Sequence, residues 1–180
     1  MSTGTLLRVA AELLALVVLC VVLRARGQPL REVLALVPPR PGTLAAWVAA
    51  FAVLLAIGEL LQPILGLSPV HPWLDQYGTT ELVVRVLGIV LLAPLAEELI
   101  FRGALFTRLA RTGLEASGAI AVTAAIFAIL HLQYGSGSTA LILVDGLFYG
   151  LARAKTGSVL VPLVCHMLGN TYAAWERLVR

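Results

Sequence analysis

Apolar residues fill most of this chain in long blocks, and polar residues gather between the blocks. Six blocks approach the roughly 20 residues that a membrane-crossing helix needs, and the pattern predicts a helix in each. They cover residues 5–23, 43–65, 80–112, 117–133, 139–152 and 157–178. The fifth block is short, and its Gly146 and Gly150 form a small-xxx-small pattern that favours close helix packing. We therefore predict an all-α polytopic membrane helix bundle of about six transmembrane helices, enclosing a polar intramembrane cavity.

The composition supports a membrane protein and argues against a soluble domain. Hydrophobic residues make up 59% of the chain and charged residues 13%, with a mean hydropathy of +0.94. The net charge of +3 comes from basic residues that stand singly near the ends of apolar blocks, so we expect a lipid bilayer and no nucleic acid as partner. Cys20 and Cys165 both lie within apolar blocks, which indicates neither a disulfide framework nor a metal cluster.

Connections rich in arginine and lysine alternate with connections that have none. Residues 24–40, 108–111 and 153–155 carry cations, whereas residues 66–79 and 134–138 carry none. The positive-inside rule then places the first group in the cytoplasm, although six crossings would leave the arginines at 177 and 180 outside. The small size and the lack of a soluble domain favour a multi-pass protein of a bacterial cytoplasmic membrane.

Three charged residues interrupt the third block. Glu97, Glu98 and Arg102 lie within an otherwise apolar run, where each charge costs at least roughly 2.5–3.5 kcal/mol on insertion scales. The spacing of Glu98 and Arg102 puts them on one helix face, while Glu97 lies on an adjacent face. One carboxylate is thus free to pair with the arginine while the other remains available for chemistry.

Two further motifs place a histidine one helical turn from a companion. Phe127 precedes His131 by four residues, and His166 precedes Asn170 by four. Counted from the cytoplasmic cations at about 1.5 Å per helical residue, both histidines and Glu97 fall at comparable depths. The sequence therefore predicts that these side chains meet at one site within the bilayer.

Together the motifs resemble those of a known family. Glu97-Glu98-x-x-x-Arg102, a Phe-x-x-x-His motif and a His-x-x-x-Asn motif, in that order on successive apolar blocks, are similar to the three motifs of the CAAX prenyl protease and bacteriocin-processing (CPBP, or Abi) intramembrane endopeptidases. The resemblance covers about residues 81–174. It divides the chain into an N-terminal two-helix membrane region, 1–79, and a protease core, 80–180.

The resemblance implies that the protein hydrolyses a peptide bond of a membrane-associated protein or peptide, in CAAX-type or bacteriocin-type processing. It implies that Glu97 and His131 activate the attacking water, and that His166 and Asn170 donate hydrogen bonds to the oxyanion.

The remaining motif residues receive supporting roles from the same resemblance. Glu98 and Arg102 form a pair that orients Glu97, and Phe127 contacts the substrate. We expect no metal and no other cofactor. The identity of the substrate and the oligomeric state are not readable from the sequence.

Three alternatives stand beside this interpretation. A zinc metalloprotease would use His131, His166 and a glutamate as ligands, although the sequence lacks HExxH and Arg102 opposes the binding of a cation. A non-catalytic transporter or scaffold would also carry charged residues in its membrane helices. A buried ion pair that only fixes helix register would leave both histidine motifs unexplained.

Overall fold

The structure, a computed structural model, describes residues 1–67 and 72–179, and these residues form helices and turns without a β-strand. The all-α prediction is confirmed at this level. The helices are α1 (Thr3–Ala25), α2 (Leu30–Val33), α3 (Pro41–Leu61), α4 (Thr79–Leu87), α5 (Ala93–Glu98), α6 (Phe106–Leu109), α7 (Glu115–Ile129), α8 (Ser136–Thr156) and α9 (Leu160–Val179).

One long helix carries the charged motif. Two π-helical segments, Gly88–Leu92 and Leu99–Leu105, join α4, α5 and α6 into an uninterrupted helix over residues 79–109, which we call the motif helix. Pro94 lies at the start of α5, directly after the first π segment. Proline has no N–H to donate to the preceding turn of a helix. The wider π turn before Pro94 therefore avoids leaving an α-helical backbone hydrogen bond unmade.

The cation-rich connections meet at one end of the bundle. The N–H of Val159, just before α9, donates to the carbonyl oxygen of Ala35 at 3.0 Å. Arg153, in the last turn of α8, donates from Nη2 to Oγ1 of Thr107 in the motif helix at 3.1 Å. The ends of α8 and the motif helix and the connection after α2 therefore lie together, as the alternation of charge predicts.

At the opposite end, the start of α1 contacts the start of the motif helix, and the end of α9 contacts the connection before the motif helix. Oγ1 of Thr5 donates to Glu81 at 2.8 Å. The N–H of Trp73 donates to the carbonyl oxygen of Arg177 at 2.7 Å. Arg177 thus lies away from the cation-rich end, and residue 180 falls outside the described residues.

Close packing joins α7 to α8. A Cβ added to Gly146 would lie 3.2 Å from Ala124, and one added to Gly150 would lie 3.1 Å from Ile120. Both glycines are therefore needed for α7 and α8 to lie this close together, which confirms the predicted small-xxx-small packing. The helix itself spans 21 residues, because it begins three residues earlier and ends four residues later than the predicted block.

Two helices of the described chain, α1 and α3, are long and apolar enough to cross a membrane. Only 6% of the most apolar 18-residue window of each is buried, so their apolar side chains face outward. Such a large exposed apolar surface is typical of contact with lipid. In contrast, α9 packs against α3 and α8 around Phe51, Tyr149 and Cys165, which form a buried cluster.

Candidate active site

A fully buried ion pair lies at the centre of the site. Glu98 is the last residue of α5, and Arg102 lies in the second π segment. Nη1 of Arg102 donates to Oε1 of Glu98 at 3.0 Å, and both side chains are 0% exposed. Nη2 of the same guanidinium donates to the carbonyl oxygen of Gly146 at 3.0 Å. The pairing predicted from the spacing is confirmed.

Aromatic rings hold the guanidinium in place. The central carbon of the Arg102 guanidinium lies 4.7 Å from the ring centroid of Phe127 and 5.3 Å from that of Tyr149. Cation–π contacts of this kind gain strength where water is excluded. A Cβ on Gly146 would come within 3.3 Å of Nη2. The absence of a side chain at that position therefore leaves room for the arginine.

His166 lies between the two glutamates. Its Nδ1 lies 3.0 Å from Oε1 of Glu98, and its Nε2 lies 3.6 Å from Oε2 of Glu97. The Glu98–Arg102 pair therefore contacts His166, whereas the sequence interpretation had it orienting Glu97. The difference arises from the packing of α9 against α5, a contact between helices that are distant in sequence.

The two carboxylates differ sharply in access. The Glu97 side chain is 28% exposed, whereas that of Glu98 is 0% exposed. Oε2 of Glu98 is buried and has no hydrogen-bond partner. Glu97 alone of the two is accessible to water and substrate.

His131 lies outside the helix on which it was predicted. Because α7 ends at Ile129, His131 occupies the following turn, with φ −112° and ψ 12°. Its Nδ1 is 2.7 Å from the carbonyl oxygen of Phe127. If Nδ1 carries the proton and donates there, Nε2 keeps a free lone pair. Glu97 interacts electrostatically with both His131 and His166, so the three groups share one electrostatic environment.

Phe127 is a buried packing residue. Its side chain is 3% exposed, and its ring centroid is 4.6 Å from that of His131 and 5.7 Å from that of His166. The sequence interpretation assigned it to substrate binding. Its burial instead fits a role in positioning the two histidines.

Asn170 connects α9 to the motif helix. Its Nδ2 donates to the carbonyl oxygen of Ile89, in the first π segment, at 2.8 Å. One amide hydrogen is thereby used to fix the side chain, and the second remains for another acceptor. The other two sequence motifs thus pack against the motif helix, and His166 and Asn170 contact two different turns of it.

Residues 79–172 match the type II CAAX prenyl endopeptidase Rce1-like family. The chain belongs to this family. The match includes every predicted site residue, and it confirms the resemblance drawn from the three motifs. It also supports placing the protein in a membrane, because the family is membrane-embedded.

A curated protein that the chain resembles is an uncharacterized 24.3 kDa protein of Escherichia coli. The two are 33% identical over 94 residues, which cover 51% of this chain and 43% of that protein. The chain thus matches less than half the length of this relative. No solved structure matches the chain.

Two residues within the Rce1-like region were not predicted as part of the site. Tyr149 stacks on His166, with ring centroids 4.9 Å apart and an angle of 20° between the planes. Asp145, one turn before it on α8, interacts electrostatically with His166 and Arg102. Their spacing of four residues was the available signal, but nothing in the sequence indicates which face of α8 meets α9.

Histidine and glutamate side chains of the kind found in this site are common metal ligands. Within residues 1–67 and 72–179, no group of three or more histidine, cysteine, aspartate or glutamate side chains is arranged to hold a metal ion. Oxygen Oε1 of Glu98 already accepts from Arg102 and faces His166. A zinc ion bound to this oxygen would have to displace its contact with Arg102.

Proposed function

We propose that this protein is an intramembrane endopeptidase that hydrolyses a peptide bond of a membrane-associated protein or peptide with water activated by Glu97 and His131. One observation carries the proposal. The accessible Glu97 lies 3.6 Å from His166, which the buried Glu98 contacts from the other side. A reacting carbonyl beside Glu97 would therefore meet both a carboxylate base and a fixed imidazole.

Glu97 is the base in this mechanism, and His131 assists it. The exposure of Glu97 supports this choice over Glu98, because a base must reach the water that it deprotonates. The free Nε2 of His131 would accept the second hydrogen of that water and help to aim its lone pair. The water oxygen then forms a bond to the carbonyl carbon while its proton passes to Glu97.

His166 and Asn170 are the oxyanion donors. A protonated His166 would balance the charges of Glu97, Glu98 and Arg102, since two carboxylates would then face two cations. Its Nε2–H and the free amide hydrogen of Asn170 would donate to the developing oxyanion. When the tetrahedral intermediate collapses, the C–N bond breaks and the amine leaves with the proton that Glu97 had accepted.

The proposed setting is a bacterial cytoplasmic membrane crossed six times. The crossings would be α1, α3, the motif helix, α7, α8 and α9. The grouping of Arg153, Thr107, Val159 and Ala35 at one end supports this alternation. A CAAX-type substrate and a bacteriocin-type substrate both fit, and the Rce1-like family favours the CAAX type.

Comparative N-terminal and C-terminal proteomics tests the activity. Membranes that contain the wild-type protein should yield new termini that disappear with Glu97→Gln and with His131→Ala. Glu32→Gln makes the same chemical change on the exposed helix α2 and should leave those termini unchanged. Wild-type termini that persist in both active-site variants would refute the proposal. A wild type without new termini would favour the transporter or scaffold alternative.

A further inference from the structure

A cavity lies away from the candidate active site, at the cation-rich end of the bundle. It has a volume of about 510 Å³ and lies between the end of α1, helix α2 and the last turns of the motif helix. Cavities of this size hold small molecules in many proteins. None of the residues proposed for catalysis lines it.

The walls divide into a cationic part and an apolar part. Arg108, in the last turn of the motif helix, and Arg111, in the turn that follows it, both line one side of the cavity. In the part of the chain that the structure describes, neither guanidinium forms a salt bridge. Leu23, Val33 and Ile100 line the apolar part, and Ile100 lies about 12 Å along the helix from Arg108.

We propose that this cavity binds an anionic phospholipid, with the phosphate between Arg108 and Arg111 and an acyl chain along Leu23, Val33 and Ile100. Arginine pairs bind phosphate oxygens through charge-assisted hydrogen bonds. Basic pockets between membrane helices on the cytoplasmic side recognise lipid headgroups in the same way. Free phosphate would leave the apolar wall uncovered, which favours a lipid.

The cavity wall at Val33 adjoins the connection after α2, which contacts both the motif helix and the start of α9. A Cβ on Gly103 of the motif helix would lie 3.1 Å from Leu34, so the segment after α2 packs directly on this helix. The same segment accepts a hydrogen bond at Ala35 from Val159, which directly precedes α9. A lipid that stabilises the wall at Val33 therefore also stabilises the start of the helix that carries His166.

Thermal unfolding of the purified full-length protein in neutral detergent tests the inference. Phosphatidylglycerol should raise Tm in a saturable way, whereas phosphatidylcholine and inorganic phosphate should not. In Arg108→Gln/Arg111→Gln the apparent affinity for phosphatidylglycerol should fall roughly 30-fold, because each arginine near an anionic surface raises the affinity by about a factor of five.

The matched control is Arg24→Gln/Arg26→Gln. It removes the same charge from exposed positions at the same end of the bundle without altering the cavity lining. Phosphatidylglycerol should raise the Tm of this control as it raises that of the wild type. Equal weakening in both double variants would indicate diffuse surface charge and overturn the inference. A Tm shift caused by inorganic phosphate alone, or equal shifts with both lipids, would also overturn it. The measurement requires no proteolysis, so its result is independent of the proposed peptidase activity.

Discussion

Removing the charge of Arg102 tests what the buried ion pair does. In Arg102→Leu, the carboxylate of Glu98 would stay fully buried with only His166 beside it, and the carbonyl oxygen of Gly146 would lose its donor. Breaking a buried pair by removing one partner costs about 3–5 kcal/mol. Because a native domain is stable by about 5–15 kcal/mol, we expect this variant to show a large fall in Tm.

A double variant separates stability from chemistry. Glu98→Leu/Arg102→Leu removes both buried charges, and such replacements are often neutral or stabilising. We expect it to recover most of the stability lost by the single variant. His166 would nevertheless lose the carboxylate at its Nδ1, and a hydrogen bond to a charged group is worth about 1.5–3 kcal/mol. Turnover should therefore fall roughly 10- to 150-fold in a folded protein.

Thermal unfolding in detergent and turnover of the substrate identified by proteomics measure the two effects. Arg31→Leu/Glu32→Leu removes one acid and one base from the exposed helix α2 and serves as the control. Wild-type turnover in the buried double variant would show that the pair only fixes helix register. A double variant no more stable than Arg102→Leu would refute the energetic reasoning.

Three further outcomes are expected. Gly146→Ala should cost about 1–3 kcal/mol of stability and lower turnover, because the new methyl group would press on Ala124 and on the guanidinium of Arg102. The control, Gly58→Ala, places its methyl group in open space and should be neutral or stabilising in thermal unfolding. Tyr149→Leu should lower kcat about 2- to 10-fold by removing the ring stacked on the histidine of α9, and Tyr149→Phe should restore it. Activity should survive chelation of divalent metals; a loss that added zinc reverses would support the metalloprotease alternative instead.

Local pairings were predictable from the sequence, because helical periodicity fixes them. Glu98 and Arg102 are four residues apart on one continuous helix, and the structure joins them as the spacing predicts. The helix boundary near His131 differs from the predicted one, since α7 ends at Ile129, although His131 still contacts Phe127. The sequence there offers neither a proline nor a glycine to mark the helix end, which made the boundary hard to place.

The depths of the motifs predicted one common site, but which side chains of different helices touch could not be read from the sequence. That His166 meets Glu98 depends on the rotation of α9 about its axis, which side-chain packing against α3, α5 and α8 determines. The burial of Phe127 has the same origin, because its ring lies against Arg102 and both histidines. Alternating polarity normally reveals which face of a helix is buried, but in an apolar bundle that contrast is weak.

The two π segments make the effect of losing a residue from the motif helix depend on where the residue is lost. A π turn holds one residue more than an α-helical turn, so deleting one residue from Gly88–Leu92 would allow that segment to become α-helical while its two ends keep nearly the same relative orientation. Deleting one residue between Glu81 and Gly88 removes it from a regular α-helix and would instead rotate the two halves of the motif helix by about 100° relative to each other. Glu81 would keep its contact with Thr5, while Glu97 would turn away from His166. Loss of a single apolar residue from this stretch is thus expected to misalign the site as completely as loss of a charged one.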